Sequence, residues 1–190
     1  DTRFAEQVYK TWQNKALSIQ LALIEGMHSR HETKVCSAIL REMALHTAPE
    51  HRNTAALAIG RFGIVAEAHR LEPLLTDSNP QVAGTALHAA GMLQQQYAIA
   101  PLLNAVNHKH THEAGIKGML AFGPALFTSS HLHAEKLNAR QVLALIRVAG
   151  MQPLQAGLPL LTRILQLHPT LPVLHAVTQV LWKQQQPSAV

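Results

Sequence analysis

A single cysteine, Cys36, occurs in the 190 residues, so no disulfide can close within the chain and a reducing compartment is the expected setting. Aromatic residues make up 4% and charged residues 14% of the sequence, the latter well under the roughly 25% usual in soluble domains. Only 11 Asp and Glu are present, too thin a supply for the paired carboxylates of general acid–base chemistry. No nucleophile elbow, phosphate loop or zinc-finger spacing occurs. The chain is therefore read as not an enzyme, and no cofactor is expected. The best apolar stretch, residues 16–24, is interrupted by Ser18 and Gln20 and falls short of the about 20 residues a spanning helix needs. There is no signal-peptide pattern, and the opening at Asp1 rather than at methionine fits a piece of a longer polypeptide. β-Branched alternation and Asn-Gly or Asp-Gly hairpin turns are also missing, which argues against strand-based folds.

What is present points to a folded chain. Apolar residues reach 47%, and Gln, Asn, His and Ala fill the place of the missing charge, unlike a disordered composition. The formal charge is +5. It is uneven, because no Asp or Glu follows Glu135, whereas Arg140, Arg147, Arg163 and Lys183 do. This mildly basic end is read as scattered, solvated cations that would tolerate an acidic partner or an anionic lipid surface. Cys36, in the run Val35-Cys36-Ser37-Ala38-Ile39-Leu40, reads as a small core residue rather than a reactive thiol.

The chain repeats itself. Residues 54–63 and 82–91 share a small residue, a small–aliphatic pair and a closing glycine, with Gly63 and Gly91 28 positions apart. The elements that follow, Leu71-Glu72-Pro73-Leu74-Leu75 and Ile99-Ala100-Pro101-Leu102-Leu103, place Pro73 and Pro101 at the same 28-residue offset. Gly123 and Gly150 close two further copies, Leu158-Pro159-Leu160-Leu161 repeats the Pro-Leu-Leu element, and residues 173–182 read as a last first-type helix. Ile99, Leu102, Leu103 and Val106 follow the i, i+3, i+4, i+7 helix period. Gly63, Gly91, Gly123 and Gly150 are expected as left-handed helix ends, and Pro49, Pro80 and Pro172 as helix starts. Pro73, Pro101 and Pro159 either lie in a first turn or kink their helices. Alanine and glycine dominate the first helices, where small side chains let neighbouring pairs approach closely, and each pair buries its faces only by stacking on the next. Residues 4–26 read as one long helix and residues 32–46 as another, an atypical N-terminal pair over residues 1–49. Residues 184–190 read as a frayed tail. With no linker rich in Pro, Gly or Ser, residues 1–190 are expected to form one α-solenoid domain.

On Ala58-Ile59…Gly63, Ala86-Leu87…Gly91, Gly123-Pro124-Ala125-Leu126 and the three Pro-Leu-Leu elements, residues 50–183 resemble HEAT-like repeats of the short bacterial kind also found in phycobilisome lyases. Asp77-Ser78-Asn79-Pro80-Gln81-Val82 matches the start of that family's unit well, His168-Pro169 in part and the other units poorly. The resemblance implies an all-α, right-handed α-α superhelix (HEAT-like solenoid) of about five to six helix pairs. Residues 97–183, through Gly123-Pro124-Ala125-Leu126 and Arg147-Val148-Ala149-Gly150, are also similar to the HEAT segment attached to some bacterial ATP/ADP antiporter-type membrane transporters. That likeness implies a cytoplasmic appendage at the inner face of a membrane, with the membrane part of the same polypeptide as a partner.

The expected function is a protein-interaction or regulatory scaffold. Second helices commonly line the concave face of such stacks, so Arg70, Asn104 and Arg163 are the candidate contacts with a protein partner. His108, His110 and His112 could point one way in an extended loop, or His108 and His112 could share a helix face, with Glu113 beside them, and imidazole suits Zn, Ni or Cu. The stretch is read as a solvated loop, since nothing supplies a second shell, and no metal is assigned. Trp12 and Trp182 are expected to plug the two ends of the array; the competing role is base stacking. A nucleic-acid-binding or DNA-glycosylase-like solenoid is the alternative, disfavoured because such binding rests on clustered cations. A lyase-type HEAT enzyme is the other.

Overall fold

The computed structural model describes residues 2–185, with the side chains of residues 7–184. Among the described residues every regular element is a helix and none is a strand. The chain divides into two compact halves, Asp1–Leu93 and Gln94–Val190. From residue 186 onward the expected tail lies outside the described residues.

The N-terminal half runs through α1 (Thr2–Thr11), α2 (Leu17–Ser29), α3 (Thr33–Ala44), α4 (Pro49–Arg61), two 3-10 segments (Val65–Leu71 and Pro73–Thr76) and α5 (Pro80–Met92). The expected single helix over residues 4–26 is broken by a 3-10 turn, Trp12–Asn14. The break is built in. Trp12 is 2% exposed, and the buried Gln20 side chain donates Nε2–H to the Lys15 carbonyl at 2.9 Å, so that carbonyl, next to the break, finds a partner. Within this half α4 packs on α2, α3 and α5, and α3 packs on the first 3-10 segment.

In the C-terminal half a 3-10 turn (Gln96–Ala98) leads into α6 (Ile99–Ala105), followed by α7 (His112–Phe122), α8 (Ala125–Thr128), a 3-10 turn (Ala134–Lys136), α9 (Ala139–Gly150), α10 (Leu154–Leu167) and α11 (Leu171–Gln185). Here α9 packs on α7, α10 and α11, and α10 packs on α8.

Helix boundaries give the repeat its register. The first helices α2, α4, α5, α7, α9 and α11 open at residues 17, 49, 80, 112, 139 and 171, at intervals of 32, 31, 32, 27 and 32. Pro49 and Pro80 each occupy the first turn, where a missing N–H costs nothing. Asn79 caps α5 by accepting from the Gln81 and Val82 amides at 2.9 and 3.3 Å, and Asn138 with Gln141 forms a capping box on α9. The equivalent positions of α4 and α5 lie 31 apart, not 28. A slip of three residues is close to one helical turn and keeps the same face, so small-residue patterns cannot separate the two registers. The 28-residue offset does relate two sets of buried residues, Leu71, Leu74 and Leu75 in one half and Ile99, Leu102 and Leu103 in the other.

Two of the four expected left-handed glycines are left-handed: Gly63 with φ 65° and Gly123 with φ 73°. Gly91 and Gly150 are helical. After α5 the left-handed position belongs to Gln94, and after α2 to His31. Gly150 is small for another reason: a Cβ there would meet Val180 Cγ2 of α11 at 2.7 Å. Pro101 sits in the first turn of α6, Pro73 opens its own 3-10 segment, and Pro159 lies inside α10.

Arg52 ties successive connections together in the N-terminal half. Its guanidinium donates to both Asp77 carboxylate oxygens, at 2.7 and 2.9 Å, and to the carbonyls of His46 and Thr47, at 2.9 and 2.7 Å. The two side chains are 16% and 7% exposed. The hydrogen bonds from Arg52 hold the Asp77 carboxyl below its ordinary range. A depressed folded-state pKa gives stability that is complete above the unfolded carboxylate range and vanishes as pH falls through the folded value.

Two measurements follow. Gly60→Ala should destabilise by about 1–3 kcal/mol in denaturant titrations through overpacking, because a Cβ at position 60 would lie 2.6 Å from Ala89 Cβ and 2.8 Å from its Cα. Gly26→Ala, with nothing within 4 Å of the added carbon, should instead stabilise by up to about 1 kcal/mol through helix propensity. Asp77→Asn should lower the melting temperature at neutral pH, and the gap to the wild-type chain should close once the solution is acidic enough to protonate Asp77 in the folded state.

Candidate interaction site

A broad concavity of the C-terminal half lies among first helices. α7 and α9 run side by side, and with the turn after α6 they enclose a groove of about 550 Å3. Val106, Ile116 and Ala144 form its buried floor, while Leu143 is 37% exposed. The rim carries His108, Lys109, His112, Arg140 and Arg147, with Glu113 as the one carboxylate lining the groove.

Local structure fixes these groups. The α9 face brings Arg140, Leu143, Ala144 and Arg147 together at helical spacing. Arg140 donates to the Asn107 carbonyl at 3.2 Å, and Arg147 reaches Glu113 Oε1 at 3.3 Å. His112 Nδ1 lies 2.8 Å from the Val106 carbonyl, so that nitrogen is the protonated one and donates. Its Nε2 stands 3.9 Å from Glu113 Oε1.

A second groove of about 310 Å3 lies on the other side of α9, against α11, and Leu143 and Arg147 line both. Ile146, Gly150, Ala176 and Val180 give it an apolar bed, and Lys183 joins Arg147 at its edge.

The residues singled out from the sequence are placed differently. Arg70 is part-buried and ion-paired with Glu67, with Ser37 Oγ 3.4 Å from its guanidinium. Asn104 accepts from the Gln141 side chain at 3.2 Å and borders a smaller hollow of about 180 Å3 with His131, His133 and Lys136. Arg163 pairs with Glu135 at 3.2 Å. The Glu135 carboxyl is held below its ordinary range by a backbone hydrogen bond at its own residue and then by Arg163. The turn Ala134–Lys136 thus connects the surroundings of Asn104 and Arg163, whereas Arg70 belongs to the N-terminal half. None of the three lines either groove beside α9.

His108 and His112 share the larger groove and His110 does not line it. Among the described residues no three His, Cys, Asp or Glu side chains come together as a metal site, and no helix is long and apolar enough to cross a membrane. Trp12 is buried, but Trp182 is 67% exposed, so the expected plug at the C-terminal end is not formed by that side chain. The cations Arg140 and Arg147, read from the sequence as scattered, converge on one groove. Their i, i+7 spacing around Leu143 and Ala144 was the available signal.

No protein-family model matches the chain, and no curated protein matches it.

Cys36 is 3% exposed. Burial, aided by the Glu67 carboxylate, pushes its thiol up to about 11, and a thiol is a poor nucleophile when so little of it is thiolate. A chromogenic disulfide reagent at mildly alkaline pH should leave it unmodified in the folded chain and titrate one thiol per chain in denaturant.

Proposed function

We propose that the chain is a HEAT-like helical-repeat scaffold that binds a partner protein and performs no chemistry of its own. One observation carries this reading: a groove of about 550 Å3 in the C-terminal half opens between consecutive first helices, with an aliphatic floor and a cationic rim. A concave, mostly apolar surface with a few convergent polar groups is the usual form of a binding site. The recurrence of first helices at nearly constant intervals supports the repeat part of the proposal, since stacked pairs give a long surface whose stability comes from nearest-neighbour contacts.

The test is a selection of random displayed peptides on the intact chain, counter-selected on Leu143→Asp. Leu143 is partly exposed, so this variant should keep the wild-type far-ultraviolet circular dichroism. Peptides that bind the wild-type chain and lose at least about tenfold in affinity, roughly 1.4 kcal/mol, on the variant support the scaffold reading. A selection that yields no peptide able to tell the two apart removes it.

A further inference from the structure

Resting on that reading, we propose that the two grooves beside α9 form one docking track for an acidic segment of a partner protein, with an aliphatic anchor entering each depression. Three features lead there. The grooves are contiguous, because Leu143 and Arg147 line both, so α9 is a ridge an elongated ligand would straddle. A compact ligand would fill one depression and leave the other empty. Both beds are aliphatic, with Val106, Ile116 and Ala144 on one side and Ile146, Ala176 and Val180 on the other. Beds of this kind take Leu, Ile or Val side chains.

The rim chooses the sign of the partner. Lys109, Arg140, Arg147 and Lys183 border the track and Glu113 is its single carboxylate. Glu113 already pairs with Arg147 at 3.3 Å. The excess is cationic, and complementary charge at a rim steers encounter and selects among partners. An acidic peptide fits better than a nucleic acid, since no Phe, Tyr or Trp lines either groove and base stacking has no aromatic platform.

The experiment uses the intact chain and labelled probes in fluorescence anisotropy at low ionic strength. The probes are a short Glu-rich peptide with spaced leucines, a Lys-rich peptide with the same leucines, the Glu-rich peptide with serines in place of leucines, and a single-stranded DNA oligonucleotide. The Glu/Leu peptide should bind and weaken with salt. The Lys/Leu and Glu/Ser peptides should bind at least about tenfold more weakly. Arg140→Glu and, separately, Lys183→Glu should each weaken the Glu/Leu peptide by about tenfold. Two independent variants guard against a folding defect in one, which circular dichroism would reveal.

Equal binding of the Lys/Leu peptide overturns the acidic assignment while leaving the scaffold reading intact. Unchanged binding of the Glu/Leu peptide to both variants places its site elsewhere and overturns the track. DNA bound more tightly than any peptide, and lost on Arg140→Glu, replaces the peptide with a nucleic acid. If no peptide binds, the acidic track falls, and the scaffold reading is then judged by the display selection alone.

Discussion

Ala89 leaves no room on α4 for a side chain at position 60, and the N-terminal half is arranged around that fact. Helices α4 and α5 touch along alanine and glycine, with Ala55, Ala56, Ala86 and Ala90 all buried. Helix axes can approach closely only where side chains are small. The same device recurs in the C-terminal half. A Cβ on Gly115 would meet the Leu102 carbonyl at 2.9 Å, and one on Gly150 would meet Val180. Larger aliphatic residues such as Leu71 and Leu102 are fully buried. In both halves, close helix contacts are made where one partner is glycine.

Amides take over the work that charges do elsewhere. In the C-terminal half, glutamine side chains clamp the carbonyl ends of neighbouring first helices. Gln94 donates to the Phe122 carbonyl at 3.1 Å and Gln152 to that of Leu120 at 3.3 Å. Gln184 donates to Gly150 and Gln152, both at 3.0 Å. The last carbonyls of a helix lack intrahelical partners; the bonds to Phe122 and Gly150 meet the final carbonyls of α7 and α9, and the others add a second donor at Leu120 or reach the connection at Gln152. This gives the glutamine-rich, charge-poor composition a structural meaning. Some of the few charges act across a connection, as Arg52 does with Asp77, or stand at the rim of a groove, as Arg140 does.

The helical class was legible because period and punctuation survive in a single sequence: Pro49 and Pro80 mark starts, and Gly63 and Gly123 mark ends. The register was less legible. Small-residue patterns look alike after a shift of one turn, and Gln94 and His31 adopt a left-handed turn without glycine's signature. Gly150 was misread because a glycine needed for close approach looks the same in sequence as one needed for a turn. The break at Trp12–Asn14 depends on Gln20 reaching back to Lys15, a contact hydropathy does not record. The groove was hidden for a further reason. Its walls come from residues 106–116 and 140–147, and only the packing of α7 on α9 makes neighbours of them.

The glutamine clamps have a consequence for how the molecule meets changing conditions. A neutral amide neither titrates nor draws counter-ions, so its bonds are indifferent to ionic strength, whereas forces between exposed ions fade within about 8 Å at physiological salt. The amide bonds of the C-terminal half and the cations at its groove rim therefore answer to different variables. Under the proposed docking of an acidic segment, raising the salt would release that segment while the helices beneath stayed in register, so attachment would be adjustable without any loosening of the body that offers it.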